Sequence, residues 1–284
     1  MKDTPGEGDA QTPAAEAPRA PMEARDATLA YDERVVSEHL DVRVPDGSFT
    51  VIIGPNACGK STLLRALARL LAPSRGTVLL DGRDIATRPS RAVARRLGLL
   101  PQSPVSPEGI TVRDLVSRGR FPHQGLLRQW SAEDDAAVET AMRATGITGL
   151  AHRRVNELSG GQRQRTWLAL VLAQQTSLLL LDEPTTFLDI TYQLEVLNLC
   201  RDLHAHGRYT LVVVLHDLNL AFRYATNLIV MKGGRILAQG PPGDIVTAEL
   251  IEEVYGISCL CLPCPATGAP MIVPLDSAPR EADA

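Results

Sequence analysis

Gly54-Pro55-Asn56-Ala57-Cys58-Gly59-Lys60-Ser61-Thr62 follows an apolar run, Val51-Ile52-Ile53, and precedes leucines at helical spacing, Leu63, Leu64, Leu67, Leu70 and Leu71. Gly54 to Ser61 fit G-x-x-x-x-G-K-[ST], a phosphate-binding loop that Thr62 extends, and lie where that loop must lie, between a strand and a helix. Glycines let backbone N–H groups turn inward on phosphate oxygens, and the helix dipole adds positive potential. Lys60 is placed to reach β and γ phosphates, and Ser61 to offer its hydroxyl to Mg²⁺. With the helix expected to run to Pro73 and a strand at Thr77 to Leu80, the order strand, loop, helix, strand predicts an α/β domain.

Upstream, apolar residues from Ala27 to Ile53 alternate in short stretches broken by Pro45-Asp46-Gly47, which reads as strands joined by turns. Downstream, from about Pro101 to Leu158, prolines give way to two helix starts at capping-box spacing, Thr111 with Asp114 and Ser131 with Asp134, predicting a helical insertion. Two apolar strands, Leu178 to Leu181 and Thr210 to Leu215, then flank a helix of roughly residues 190 to 206, so the parallel-sheet pattern resumes. No internal repeats are visible.

The carboxyl ends of such strands face the ligand in open α/β sheets. Asp182 and Glu183 follow the four leucines, which suits Asp182 to a Mg²⁺ shell and Glu183 to orienting and deprotonating the water that attacks a γ phosphate. His216, after the second apolar strand, reaches the same edge and is expected to touch the γ phosphate. Gln102, after Leu97 to Leu100, is an analogous polar group whose amide can meet the metal or the water.

Composition bounds the rest. The 284 residues and 44% hydrophobic content suit a globular chain of one or two domains. A formal charge of −4 and 4% aromatic residues exclude a basic or stacking nucleic-acid surface. No apolar run approaches the roughly 20 residues of a membrane-spanning helix. Five cysteines, with no secretory leader before them, point to a reducing compartment. Cys259, Cys261 and Cys264 lack the paired spacing and fourth ligand of a zinc site and read as buried strand cysteines. Residues 1–25 and 277–284, rich in Pro, Ala and acids, read as floppy tails.

Asn156-Glu157-Leu158-Ser159-Gly160-Gly161-Gln162-Arg163-Gln164-Arg165 is a helix start without an obvious nucleophile, base or metal ligand. Ser159 and Gln162 stand at capping-box spacing, and Gly160 and Gly161 leave the first turn bare, which permits close approach of an anion. Leu158 to Gln162 resembles the signature motif of ABC-transporter ATPases. With Gly54 to Thr62, Gln102, Asp182-Glu183, Leu188-Asp189 and His216 it reproduces that family's motifs in order over about residues 25 to 275.

The resemblance implies a P-loop NTPase: an ABC ATPase domain over residues 26–256 with a RecA-like parallel-sheet core, an N-terminal antiparallel β subdomain and an α-helical subdomain inserted at about 103–160. A C-terminal β extension would occupy 257–276. It further implies that two copies pair head to tail, each helix start at Ser159 capping the γ phosphate of ATP held by the other copy's Lys60 loop, and that Tyr31 stacks on adenine. Ala57 stands where many members have glycine, and its Cβ is harmless only if φ is negative there. Cys58 beside it reads as inert packing.

A single cassette without a membrane segment is similar to bacterial importers whose ATPase and permease are separate chains. Arg118 to Trp130, the run Asp182 to Asp189 and the tail Tyr255 to Leu275 are similar to the branch that serves ferric siderophores, with relatives that handle haem and cobalamin. That implies a peripheral protein on the cytoplasmic face of the membrane, working with two permease subunits and indirectly with an extracytoplasmic siderophore-binding protein. Arg118 and Arg120 are expected to border the groove where a permease helix docks. A soluble ABC ATPase of chromosomes would need a long coiled coil between Lys60 and Ser159, and one of ribosomes a second cassette; the sequence has neither.

Overall fold

The computed structural model describes residues 20–125, 130–186, 188–205 and 209–275. Most of residues 1–25 and all of 277–284, together with Leu126 to Gln129 and Phe187 of the quoted runs, lie outside the described residues. The chain opens with β1 (Met22–Tyr31), β2 (Arg34–Val44), β3 (Phe49–Ile53) and α1 (Lys60–Leu67). It continues through β4 (Arg75–Leu80), β5 (Arg83–Asp84), α2 (Ser90–Ala94) and β6 (Leu97–Leu100), then α3 (Val112–Ser117), α4 (Ala132–Ala144) and α5 (Gly160–Ala173). The second half holds β7 (Leu178–Asp182), α6 (Ile190–Ala205), β8 (Thr210–Val214), α7 (Leu218–Tyr224), β9 (Asn227–Lys232) and β10 (Arg235–Gly240). It ends with α8 (Pro242–Ile245), α9 (Ala248–Tyr255), β11 (Cys259–Pro263) and β12 (Pro270–Pro274).

The central sheet runs β10-β9-β3-β8-β7-β6, parallel throughout except for β10. Its inner strands are buried on both faces, so they read as continuous apolar runs, and the period of two divides each run between two cores. Val51, Ile53, Leu179, Leu181 and Val213 pack toward α5, α6 and α7. Ile52, Leu178, Leu180, Val212 and Val214 pack toward α1 and the second sheet, the antiparallel β2-β1-β4-β5. Each fully buried leucine of Leu178 to Leu181 contributes roughly 1.5–3 kcal/mol of transfer free energy.

Two boundaries differ from expectation. β1 begins at Met22, inside the expected tail, because it is an inner strand of its sheet: Met22 pairs with both Val44 and Leu80 and is fully buried. α1 ends at Leu67 rather than near Pro73. Arg69 takes a left-handed φ of 62°, Leu70 N–H returns to Arg65 O at 2.8 Å, and the Arg69 side chain donates to the Arg88 and Ala86 carbonyls. That C-terminal turn satisfies the last carbonyls, and Leu70, which continued the leucine pattern, is left exposed.

The insertion between β6 and β7 is helical as expected, with α3 and α4 packed on α5. Thr111 and Ser131 accept from the backbone N–H of Asp114 and Asp134, and Ser131 makes both halves of a capping box. Arg120 departs from its expected position beside a docking groove. It is 1% exposed, paired with Asp134 at 2.8 Å, and donates to Ala173 O at 2.9 Å and Gln175 Oε1 at 2.7 Å. It ties the insertion together from inside; only Arg118 is exposed.

Candidate active site

The phosphate loop, Gln102, Asp182-Glu183 and His216 all emerge at the carboxyl edge of the parallel strands, from β3, β6, β7 and β8. Parallel pairing does this: with Leu181 level with Val213 and Asp182 with Val214, residues just past each strand end share one rim. There the chain lines a cleft of ≈ 560 Å³ with Tyr31, Asn56, Ala57, Lys60, Ser61, Thr62, Glu183 and His216.

Lys60 Nζ donates to Gly54 O and Pro55 O, both at 2.8 Å, folding the loop around its own ammonium. Gly54 has a φ of 153°, and a Cβ there would lie 2.2 Å from Met231 O; Gly59 has a φ of 107° and abuts Ser37 Oγ. Neither position tolerates a side chain. Ala57, by contrast, carries its Cβ at a φ of 59°. The condition for a harmless alanine is not met, and the loop holds local strain of the left-handed kind. Cys58 is buried, and burial pushes its thiol up, in keeping with inert packing.

Ser61 Oγ donates to Asp182 Oδ1 at 3.0 Å. A hydroxyl and a carboxylate held together are hard oxygen donors of the kind Mg²⁺ takes, and Asp182 is 4% exposed. Burial pushes its carboxyl above the usual range; the Ser61 bond opposes this and the charge of Glu183 adds to it. A cation would relieve that strain, so these residues fit the metal.

Glu183 also has a left-handed backbone, φ 51°, which turns its side chain across the rim. Its Oε2 accepts from Gln102 Nε2 at 2.6 Å and Thr186 Oγ1 at 3.0 Å, and Oε1 lies 2.7 Å from His216 Nε2. The carboxylate is thus fixed by three groups from three segments, yet lines the cleft. Thr186 has only one local signal in the sequence, a turn three residues after the carboxylate, closed by Thr186 N–H to Glu183 O at 3.2 Å, and it was not among the expected residues. Arg65, also unexpected, donates to the Tyr31 hydroxyl at 3.1 Å and orients a ring that is 39% exposed at the cleft.

The bare helix start lies apart. Ser159 caps α5, its Oγ accepting from Gln162 N–H while Gln162 returns to Ser159 N–H, both as expected. None of Ser159 to Gln162 lines the cleft of the same chain. The two glycines play different parts. Gly160 is exposed, whereas a Cβ on Gly161 would meet the Tyr192 ring at 2.8 Å. Close approach from outside is therefore left to Gly160. Asp189 N-caps the next helix, accepting from Tyr192 N–H at 3.1 Å.

The C-terminal residues form the hairpin β11-β12; of the three cysteines expected to be buried in strands only Cys259 is buried, Cys261 being half-buried within β11 and Cys264 half-buried in the turn beyond it, all as free thiols. Among the described residues no cluster of His, Cys, Asp or Glu is arranged to hold a metal, and no helix is long and apolar enough to cross a membrane.

Residues 37–186 match the family described as ABC transporter. The ferric enterobactin transport ATP-binding protein FepC of Escherichia coli (strain K12) is 56% identical over 248 residues, which span 87% of this chain and 92% of that protein. The petrobactin import ATP-binding protein FpuD of Bacillus anthracis is 47% identical over 253 residues, 89% of this chain and 93% of that one. Among solved structures, a metal-chelate type ABC transporter in an inward-facing conformation superposes with a TM-score of 0.78 at 27% identity, covering 91% of this chain and 98% of that chain.

Proposed function

The chain belongs to the ABC transporter family of ATP-binding subunits, and from that membership we propose that it hydrolyses ATP to energise uptake of a ferric siderophore through a separate membrane permease. Cassettes of this family bind ATP and act as dimers with permease partners. Likeness to two siderophore-import subunits over nearly the whole chain supports the cargo class.

The observation that carries the hydrolytic reading is the placement of Glu183, a carboxylate fixed by Gln102, Thr186 and His216 beside the Lys60 loop. Glu183 is the general base that orients and deprotonates the attacking water, a role worth about 10²- to 10⁴-fold in rate. His216 contacts the γ phosphate, Gln102 meets the water or the metal, and Gly54 to Thr62 wrap the phosphates with backbone N–H groups and the Lys60 ammonium. Ser61, Asp182 and Gln102 would hold Mg²⁺, which when bound would neutralise charge on the phosphate oxygens. Tyr31, steadied by Arg65, stacks on adenine, a contact of roughly 1–3 kcal/mol by analogy with other base stacking.

Ser159, Gly160, Gly161 and Gln162 cap the γ phosphate bound by a second copy, since helix N-termini favour anions and this one does not line its own cleft. Hydrolysis then weakens the pair and opens it. Two permease subunits receive that motion at the cytoplasmic face of the membrane, where the subunit is peripheral; of Arg118 and Arg120, exposed Arg118 is the one available to them. A siderophore-binding protein outside the membrane delivers the cargo to the permease. Glu183→Gln is expected to bind ATP and dimerise while turnover falls at least about 10²-fold; undiminished phosphate release would remove Glu183 as the base.

A further inference from the structure

The C-terminal hairpin has no part in the chemistry above, yet it touches the segment that carries His216. Asn219 Nδ2 donates to Ile272 O at 3.2 Å, and Ile272 N–H donates to Asn219 Oδ1 at 2.8 Å. An amide side chain thereby takes the place a third strand would occupy on the open edge of β12. Asn219 stands three residues after His216, in the first turn of α7, whose start is capped by Asp217 accepting from Leu220 N–H at 2.8 Å. Between the end of β8 and that turn only Leu215 to Asp217 intervene.

His216 is 46% exposed at its side chain, so packing does little to hold it. Its place is set by the backbone on either side: Leu215 N–H bonded to Ile52 O at 3.3 Å, and α7 after it. A seven-residue helix is far too short to be stable by itself and takes its position from what it packs against. Ala221, Phe222 and Tyr224 seat its inner face, while the Asn219–Ile272 pair ties its first turn to a hairpin anchored by buried Cys259 and Ile272. The same C-terminal segment reaches the phosphate loop: burial pushes the Tyr255 phenol up, with Cys58 adding and a Gly54 backbone hydrogen bond opposing.

We propose that Asn219 is a positioning residue for ATP hydrolysis, and that the β11-β12 hairpin is the brace that, through it, holds His216 at Glu183. The inference rests on the reading of His216 as a γ-phosphate contact. A small displacement of a group that must meet a phosphate and a carboxylate at once loses rate without losing nucleotide, because the Lys60 loop and Tyr31 are untouched.

The test is a double-mutant cycle on the full-length chain. Asn219→Ala removes an exposed side chain and should leave the thermal midpoint of ADP-bound protein nearly unchanged. Its kcat should fall about ten- to a hundredfold with KM for ATP within about twofold. In a His216→Ala background the same substitution should cost nothing further, because the residue through which it acts is gone. Full turnover by Asn219→Ala beside a crippled His216→Ala, or losses that multiply in the double variant, would overturn the brace alone. Full turnover by His216→Ala would overturn the His216 reading and the brace with it.

Discussion

Ala57 carries a Cβ at a φ of 59°, a conformation that costs an L-residue roughly 1–2 kcal/mol. Ala57→Gly removes that strain but loosens the unfolded chain, so a net gain of about 0.5 kcal/mol in urea unfolding is expected, with ATP affinity within a few-fold. A loss of stability would mean that the loop needs the methyl group. Folding shifts the Asp182 carboxyl upward, opposite to the usual effect on a paired carboxylate. Burial raises its folded pKa above the unfolded value, so the folded form binds the extra proton. Its penalty is therefore absent below the unfolded pKa and grows as pH rises through the folded pKa. Asp182→Asn should unfold at a higher temperature than the parent near neutral pH without nucleotide, and the advantage should shrink in acid; a lower midpoint at neutral pH would refute the burial penalty. Lys60 and Ser61 were legible because they belong to a local sequence motif, and Asp182, Glu183 and His216 because each lies one or two residues past an apolar run. Arg65 and Tyr192 were not, because a partner on another element, such as Tyr31 for Arg65, leaves no local trace, and Thr186 left only its short turn with Glu183.

At the level of elements, the long apolar strands and the three capped helix starts of the insertion and signature were readable from spacing. The helical insertion also shows where spacing misleads. Arg118-Gly119-Arg120 looks like a solvated basic turn, but Gly119 lets the chain approach within contact of Leu170 O on α5, and Arg120 follows it into the interior. Burial alone would push the Asp134 carboxyl up; hydrogen bonds from Arg120 and Ser131 hold it below the ordinary value instead. That stabilisation is present above the unfolded pKa and is lost as pH falls through the folded one. Arg120→Ala leaves the Asp134 charge buried and should cost about 3–5 kcal/mol in chemical unfolding. Arg118→Glu should leave the unfolding midpoint unmoved, so that any loss of permease co-purification in that variant reports docking rather than folding. An Arg120→Ala chain as stable as the parent would contradict the buried pair.

For the whole molecule, the proposed catalytic centre is divided between two copies, which permits a complementation test. A Lys60→Ala chain and a Ser159→Phe chain should each be nearly inactive alone. Mixed, they form pairs in which the intact Lys60 loop of one faces the intact Ser159 tip of the other, and turnover should return. A mixture as inactive as its parts would mean that each chain uses its own helix tip. The order of the motifs and the alternation of buried strands were determined by the sequence by itself, because they are local: a nine-residue loop, a strand's period of two, a cap and its partner three residues on. Tertiary structure alone decided that β1 starts at Met22 between two neighbours, that α1 stops at Leu67, that Arg120 is interior and that the C-terminal hairpin grips α7 through Asn219. Each of these depends on what lies opposite a residue in space, and burial and hydrogen bonding between distant segments leave no period in the chain for a reader to find.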